Sequence, residues 1–221
     1  MNGKDIKEAR PYAPGRGEEI ASSVTHGLGA GLAVAALVLM VVLAARHGDA
    51  WRVVSLAIFG STLILLYTAS ALYHGLTNPT AKRVFQVLDH SCIYLLIAGT
   101  YTPLTLVPLR GPWGWSLFGV VWGMALVGVV FKAFFTARFE AVSVALYLLM
   151  GWLIVVAARP VMRDLPPGML LWIVLGGLAY TLGVFFYVND RRPYFHAIWH
   201  LFVLGGSTLH FFGIILHLPV K

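Results

Sequence analysis

The sequence has few charged residues for its length. Only 11% of its 221 residues are charged, whereas 59% are hydrophobic. A soluble domain carries about 25% charged residues, so this deficit excludes an ordinary soluble protein and indicates a membrane protein. The length suits one compact bundle rather than two domains.

Cysteine is almost absent as well. The single cysteine, Cys92, excludes an intrachain disulfide and is expected to be a small packed side chain. The sequence also lacks a basic block with interleaved aromatic residues, so it predicts no nucleic-acid partner. We attribute the net charge of +7 to membrane topology and to contact with anionic membrane lipids.

Long runs without a charged residue are the main feature that the sequence does have. Each is close to or above the roughly 20 residues that a helix needs to cross the hydrocarbon core. The runs cover residues 20–45, 53–81, 91–109, 111–131, 141–158, 165–189 and 193–220. They predict an all-α integral membrane protein with a seven-transmembrane-helix bundle over residues 20–221. A polar tail over residues 1–19 is expected to precede the bundle.

Lysine and arginine are distributed unequally between the two ends of these runs. Ten basic residues lie in the tail and in the loops that follow the second, fourth and sixth runs, against six on the opposite face. By the positive-inside rule, the excess predicts a cytoplasmic N-terminus and an external C-terminus.

Two glycine pairs with a spacing of four residues stand within the apolar runs. Gly27 with Gly31, and Gly119 with Gly123, form the small-xxx-small pattern that lets membrane helices approach closely. The pattern predicts close helix packing on these two faces.

Several polar residues fall at one end of three of the runs. The second run ends in "SALYHG", which contains Ser70 and His74, and Asp89 comes about two turns into the third helix. His196 and His200 lie in "FHAIWH", in the first turns of the last helix. Because successive spans alternate in direction, all three segments are expected near the cytoplasmic face. Ionisable residues inside a membrane are costly and mark candidate functional sites.

The spacing of the histidines is that of a metal chelate. His196 and His200 lie one helical turn apart on one face, and His74 would complete a set of three protein ligands. Three protein ligands with water in the fourth place are typical of an open zinc site, and neutral nitrogen ligands suit Zn²⁺ over Mg²⁺ or Ca²⁺. Asp89 could bind the ion directly or hold its water. Each histidine alone could instead be a packing residue.

The remaining histidines are not expected to bind this ion. His26 lies near the cytoplasmic end of the first run and could support the site from outside the ligand shell. His210 is about two and a half turns beyond His200, roughly 15 Å away and too far for the same ion. The other three are His47, His90 and His217.

Three segments resemble the signature regions of the hemolysin III family. They are "SALYHG", "LDHSCIYLLIAGTYTP" and "FHAIWHLFVLGGSTLHF". That family is the bacterial branch of the progestin and adipoQ receptor superfamily, and the resemblance covers the chain after the tail. It implies an adiponectin receptor-like bundle in the bacterial plasma membrane, with zinc near the cytoplasmic face. Carried over by motif, the zinc ligands are His74, His196 and His200, and Asp89 and Ser70 lie near the zinc-bound water.

The resemblance also implies a chemistry. The family resembles adiponectin receptors and alkaline ceramidases. This resemblance implies that the protein is a zinc-dependent hydrolase acting on lipid amides or esters, with a role in membrane lipid homeostasis. Asp89 would be the general base, and Ser70 would orient the water or the substrate carbonyl. Two alternatives stay open: a sensor or receptor with a structural zinc, and a cytolytic protein. A HExxH metalloprotease is excluded, because Ala197 follows the first histidine of the pair.

Overall fold

The protein is described by a computed structural model over residues 14–47, 49–136 and 138–218. Every regular element in these ranges is a helix. The helices are α1 (Arg16–His47), α2 (Ala50–Gly75), α3 (Pro79–Leu106), α4 (Pro112–Phe135), α5 (Glu140–Gly151), α6 (Ala158–Asp164), α7 (Pro167–Val188) and α8 (Phe195–His217). A 3-10 helix, Leu153–Ala157, joins α5 to α6. Most of the predicted polar tail, residues 1–13, lies outside the described residues.

Within the described ranges, six segments are long and apolar enough to cross a membrane. They are α1, α2, α4, the continuous segment Glu140–Asp164 that contains α5 and α6, α7 and α8. Large apolar side chains cover their outer faces; Leu28, Val127 and Leu182 are 66%, 68% and 61% exposed. Such a surface suits lipid rather than water. The prediction of an all-α, multi-pass membrane protein is therefore confirmed.

The helices form a closed arrangement with α3 at its centre. α1 packs on α2, α2 on α3, α3 on α4, α7 on α8, and α8 returns to α1. α3 also contacts α5 and α8, and its residues Tyr94, Ala98 and Thr102 have no exposed surface. The contact between the first and the last helix is what brings distant sequence segments to one site.

Local sequence fixes where two of the helices begin. The Asn78 side chain accepts hydrogen bonds from Thr80 N and Ala81 N, both at 3.1 Å, and Pro79 occupies the first position of α3. Asp49 caps α2 by accepting a hydrogen bond from Arg52 N at 3.1 Å, and this bond lowers the pKa of the Asp49 carboxyl.

α1 begins earlier than the charge-free run does. Its first residue is Arg16, and its first turn contains Glu18 and Glu19. Negative side chains stabilise a helix at this end, because the helix dipole is positive there. The sequence prediction assigned both glutamates to the tail. Their inclusion in the helix places Glu19 against α2 and α3, next to the site described below.

The close helix contacts are not made by the predicted glycine pairs. Gly27, Gly31, Gly119 and Gly123 face open space, since a Cβ built on any of them would meet no heavy atom within 4 Å. At Gly60 of α2, in contrast, a Cβ would lie 2.8 Å from Leu37 Cβ and 3.1 Å from Leu37 Cα of α1. The small-xxx-small prediction was therefore wrong for packing within the chain.

We expect Gly60→Ala to lower the thermal unfolding midpoint in detergent. The added methyl meets the Leu37 backbone, which cannot turn away, and overpacking of this kind costs about 1–3 kcal/mol. Gly123→Ala is the matched control, because its methyl enters open space and alanine is the better helix former. Equal midpoints for the two variants would contradict the α1–α2 contact.

The segment that joins α5 to α6 is held by a tyrosine of α3. The Tyr101 hydroxyl donates a hydrogen bond to Gly151 O and accepts one from Ile154 N, both at 2.9 Å. These two bonds replace part of the helical ladder where the 3-10 helix interrupts it. The predicted span 141–158 thus consists of α5 and the supported 3-10 helix, and the apolar segment continues through α6 to Asp164.

Candidate metal centre

Three histidines from two helices converge near the ends of α2 and α8. His74, His196 and His200 each offer a nitrogen, and these atoms lie within 4.8 Å of one another. The ring centroids are 5.0 Å apart for His74 and His196, 5.0 Å for His74 and His200, and 4.8 Å for His196 and His200. The three rings therefore surround one point at nearly equal spacing, a geometry that can hold a metal ion.

One nitrogen of His74 is held from outside this group. His74 Nδ1 lies 3.0 Å from Glu19 Oε2, and His74 Nε2 is buried without a hydrogen-bond partner in the part of the chain that the structure describes. A hydrogen bond to Nδ1 fixes the tautomer and leaves the lone pair on Nε2. His74 is therefore prepared to bind a metal through Nε2.

The two histidines of α8 follow the same pattern less closely. His200 Nδ1 lies 3.2 Å from the Ser22 carbonyl oxygen, and the His200 side chain is buried. His196 Nδ1 lies 3.7 Å from Asp190 Oδ2, longer than a hydrogen bond, and its Nε2 is a buried atom unpaired among the described residues. Unpaired buried nitrogens are costly, so these residues fit a bound cation.

The two polar residues predicted beside the ion lie on neighbouring helices. Asp89 of α3 and Ser70 of α2 are both buried, and the Ser70 hydroxyl has no hydrogen-bond partner among the described residues. The metal-binding group found in the described ranges contains the three histidines and does not include Asp89. The carboxylate is thus near the group without belonging to it.

His26 packs directly on one of the three histidines. Its ring lies parallel to His200, with centroids 3.6 Å apart and an interplanar angle of 5°, and meets the edge of Tyr67 at 5.0 Å. His26 is buried and belongs to the wall that fixes the His200 ring.

An apolar cavity of about 110 Å³ begins at the histidine group. Its polar lining near the group includes Asp89, His196 and His200, and its far end reaches Tyr101, Trp152 and His210. Between these ends the walls are formed mainly by aliphatic and aromatic side chains. Cavities of this kind, apolar with a few convergent polar groups, are typical binding sites for apolar ligands.

A family comparison agrees with the motifs. Residues 15–211 match the family model described as Haemolysin-III related. The chain belongs to the hemolysin III family. Hemolysin-3 of Bacillus cereus is 45% identical over 200 residues, which cover 90% of this chain and 91% of the relative.

Further relatives extend the hemolysin III family beyond one species. The hemolysin-3 homolog of Bacillus subtilis (strain 168) is 46% identical over 200 residues, 90% of this chain and 94% of the relative. The human monocyte to macrophage differentiation factor is 30% identical over 211 residues, 92% of this chain and 85% of the relative. The human match supports the predicted link to the progestin and adipoQ receptor superfamily. No solved structure matches the chain.

Sequence reasoning anticipated His26 but missed two other contacts that α1 makes at this hemolysin III site. Glu19 contacts His74, and the Ser22 carbonyl contacts His200. The signal was present, because Glu18, Ser22 and His26 recur every four residues and are all buried. This is the period of one helix face. The charge-free criterion set the helix start at residue 20, after Glu18 and Glu19.

Proposed function

We propose that this hemolysin III protein is a zinc-dependent hydrolase of membrane lipid amides or esters. The observation that carries the proposal is the group of three histidines at the end of an apolar cavity, with the Nδ1 atoms of His74 and His200 directed to protein acceptors. Three neutral nitrogen donors suit zinc. His74, His196 and His200 would hold the ion, which supplies Lewis-acid chemistry and makes hydroxide available near neutral pH.

The roles of the neighbouring residues follow from their placement. Asp89 lines the cavity at the histidine group and would take the proton of the attacking water as general base. Ser70 is buried, as Asp89 is, and its hydroxyl is unpaired among the described residues, so it would orient that water or the substrate carbonyl. The apolar cavity walls would hold an acyl chain and keep bulk water away from the reacting bond.

The second candidate function is a sensor in which the metal is structural. It is favoured by the way the site joins the first and last helices, since Ser22 of α1 contacts His200 of α8. A structural zinc usually has four protein ligands, so this function requires Asp89 as a direct ligand. The names of the two Bacillus relatives also raise a cytolytic function.

Turnover by the purified protein separates these functions. We expect a fluorescent ceramide or a fluorescent acyl ester to be hydrolysed, with activity lost on chelation and restored by Zn²⁺. A zinc-loaded protein that hydrolyses neither probe would support the sensor. Lysis of erythrocytes by chelated and zinc-loaded protein alike would support the cytolytic function instead.

We further propose that α3 is a seventh span, in the bacterial inner membrane, with a cytoplasmic N-terminus. α3 has 28 residues, enough to cross, and its polar residues Asp89 and His90 are buried against neighbouring helices. Seven spans would place the two termini on opposite sides, in agreement with the unequal distribution of lysine and arginine.

Reporter fusions test this topology. Alkaline phosphatase, which is active only outside the cytoplasm, should be inactive after Asn78 and active after Arg110 and after Lys221. The expected contrast between the first two fusions comes from α3 crossing the membrane. Equal activity after Asn78 and Arg110 would mean that α3 does not cross.

A further inference from the structure

We propose that Glu19 is a positioning residue that holds His74 in the orientation required for zinc binding, and that Lys82 holds Glu19. This inference rests on the proposed zinc site. It assigns to α1 a part in the metal centre, although α1 contributes no ligand. Glu19 Oε2 lies 3.0 Å from His74 Nδ1, and both side chains are largely buried, at 19% and 5% exposure.

The Glu19 carboxylate is itself fixed by a cation. Lys82 Nζ donates to Glu19 Oε2 at 2.9 Å and to the Tyr73 carbonyl oxygen at 3.0 Å. It also lies over the Tyr73 ring, 4.9 Å from the centroid. Tyr73 precedes His74 in α2, so Lys82 connects the carboxylate to the backbone that carries the histidine. Three helices, α1, α2 and α3, thus define the position of one ring.

The other two histidines have weaker outer partners. His200 faces a neutral carbonyl oxygen, that of Ser22, at 3.2 Å. His196 faces the Asp190 carboxylate at 3.7 Å, and Asp190 is 46% exposed, so solvent screens this pair. Hydrogen bonds to a charged acceptor are stronger than neutral ones. Glu19 should therefore contribute more to metal affinity than either of the other partners.

The competing explanation is that Glu19 and Lys82 only tie α1 to α3. In that case the loss of either side chain would destabilise the bundle, and any effect on the metal would follow from that loss. Lys82→Met separates the two explanations, because it removes the ion pair and leaves the Glu19–His74 hydrogen bond possible. Asp190→Asn is the matched control at the exposed carboxylate.

The experiment measures Zn²⁺ affinity by chelator competition, the absorption spectrum of the Co²⁺-loaded protein, and the unfolding midpoint of the metal-free protein. Glu19→Leu should weaken Zn²⁺ binding by about 10–100-fold and alter the Co²⁺ spectrum. Glu19→Gln should lose less Zn²⁺ affinity than Glu19→Leu, because its amide oxygen can still accept a hydrogen bond from His74 Nδ1. Asp190→Asn should change the affinity by no more than about fivefold.

Lys82→Met should lower the metal-free midpoint as much as Glu19→Leu does, but weaken Zn²⁺ binding less. An unchanged affinity in Glu19→Leu would overturn the positioning role, as would a Co²⁺ spectrum of Glu19→Leu identical to that of the wild type. A wild-type protein that binds no zinc would overturn the proposed function itself, and the inference with it.

Discussion

Replacing His200 by alanine is expected to weaken Zn²⁺ binding by at least about 100-fold. Loss of a residue that hydrogen-bonds a metal ligand lowers metal affinity by about 10–100-fold. Loss of one of the three ligands themselves should lower the affinity further. His200 is 1% exposed, and its Nδ1 lies against the Ser22 carbonyl, so its ring is held at the site. Metal content by mass spectrometry should fall from about one zinc per chain to none after dialysis.

His210→Ala is the matched control for this variant. His210 lies on the same helix, and its Nε2 is 3.2 Å from the Ile173 carbonyl oxygen, outside the group of three. We expect this variant to keep its zinc, although it also loses a packed imidazole. Zinc retained in His200→Ala, or lost equally in both variants, would reject the proposed ligand set.

Asp89→Asn is expected to reduce lipid turnover by about 10²–10⁴-fold, the usual contribution of general acid–base catalysis. The amide has the shape of the carboxylate and cannot accept a proton from water. The three histidines are unchanged by the substitution, so the zinc content should remain that of the wild type. The measurement is hydrolysis of the fluorescent ceramide and the fluorescent acyl ester by both proteins at equal zinc content.

The zinc content of Asp89→Asn decides between the catalytic and the structural function. A variant that keeps zinc and loses turnover supports Asp89 as general base. In that case Ser70→Ala should lose less turnover than Asp89→Asn. A variant that loses its zinc would make Asp89 a ligand and favour the sensor. Turnover equal to the wild type would reject hydrolysis through Asp89.

Much of the fold could be predicted, because lipid tolerates few exposed charges. The charge-free runs predicted every one of the six apolar segments. The same criterion located α3 less well, since its charge-free run starts at residue 91 whereas the helix begins at Pro79; the motif containing Asp89 placed that residue about two turns inside the helix. Asp89 and His90 are buried against other helices, and a count of charges cannot distinguish a buried polar face from the end of a span.

The site could be predicted in part for a related reason. The pair His196 and His200 follows from helical geometry alone, and the alternation of the spans placed His74 at the same depth. The structure brings these three together. Glu19 could not be placed, because its contact with His74 depends on the tertiary packing of α1. The glycine pairs failed similarly, since the spacing does not say whether a partner helix faces them.

The contact between Ser22 and His200 joins residues 178 positions apart, and this bears on the order of biosynthesis. A ribosome releases α1 and α2 long before α8, so His196 and His200 of α8 are the last members of the group to be made. Until α8 has entered the membrane, His74 has only its outer partner. Loading of the zinc proposed above would therefore follow insertion of the final helix, and a chain that stalls before α8 would lack two of the three proposed ligands.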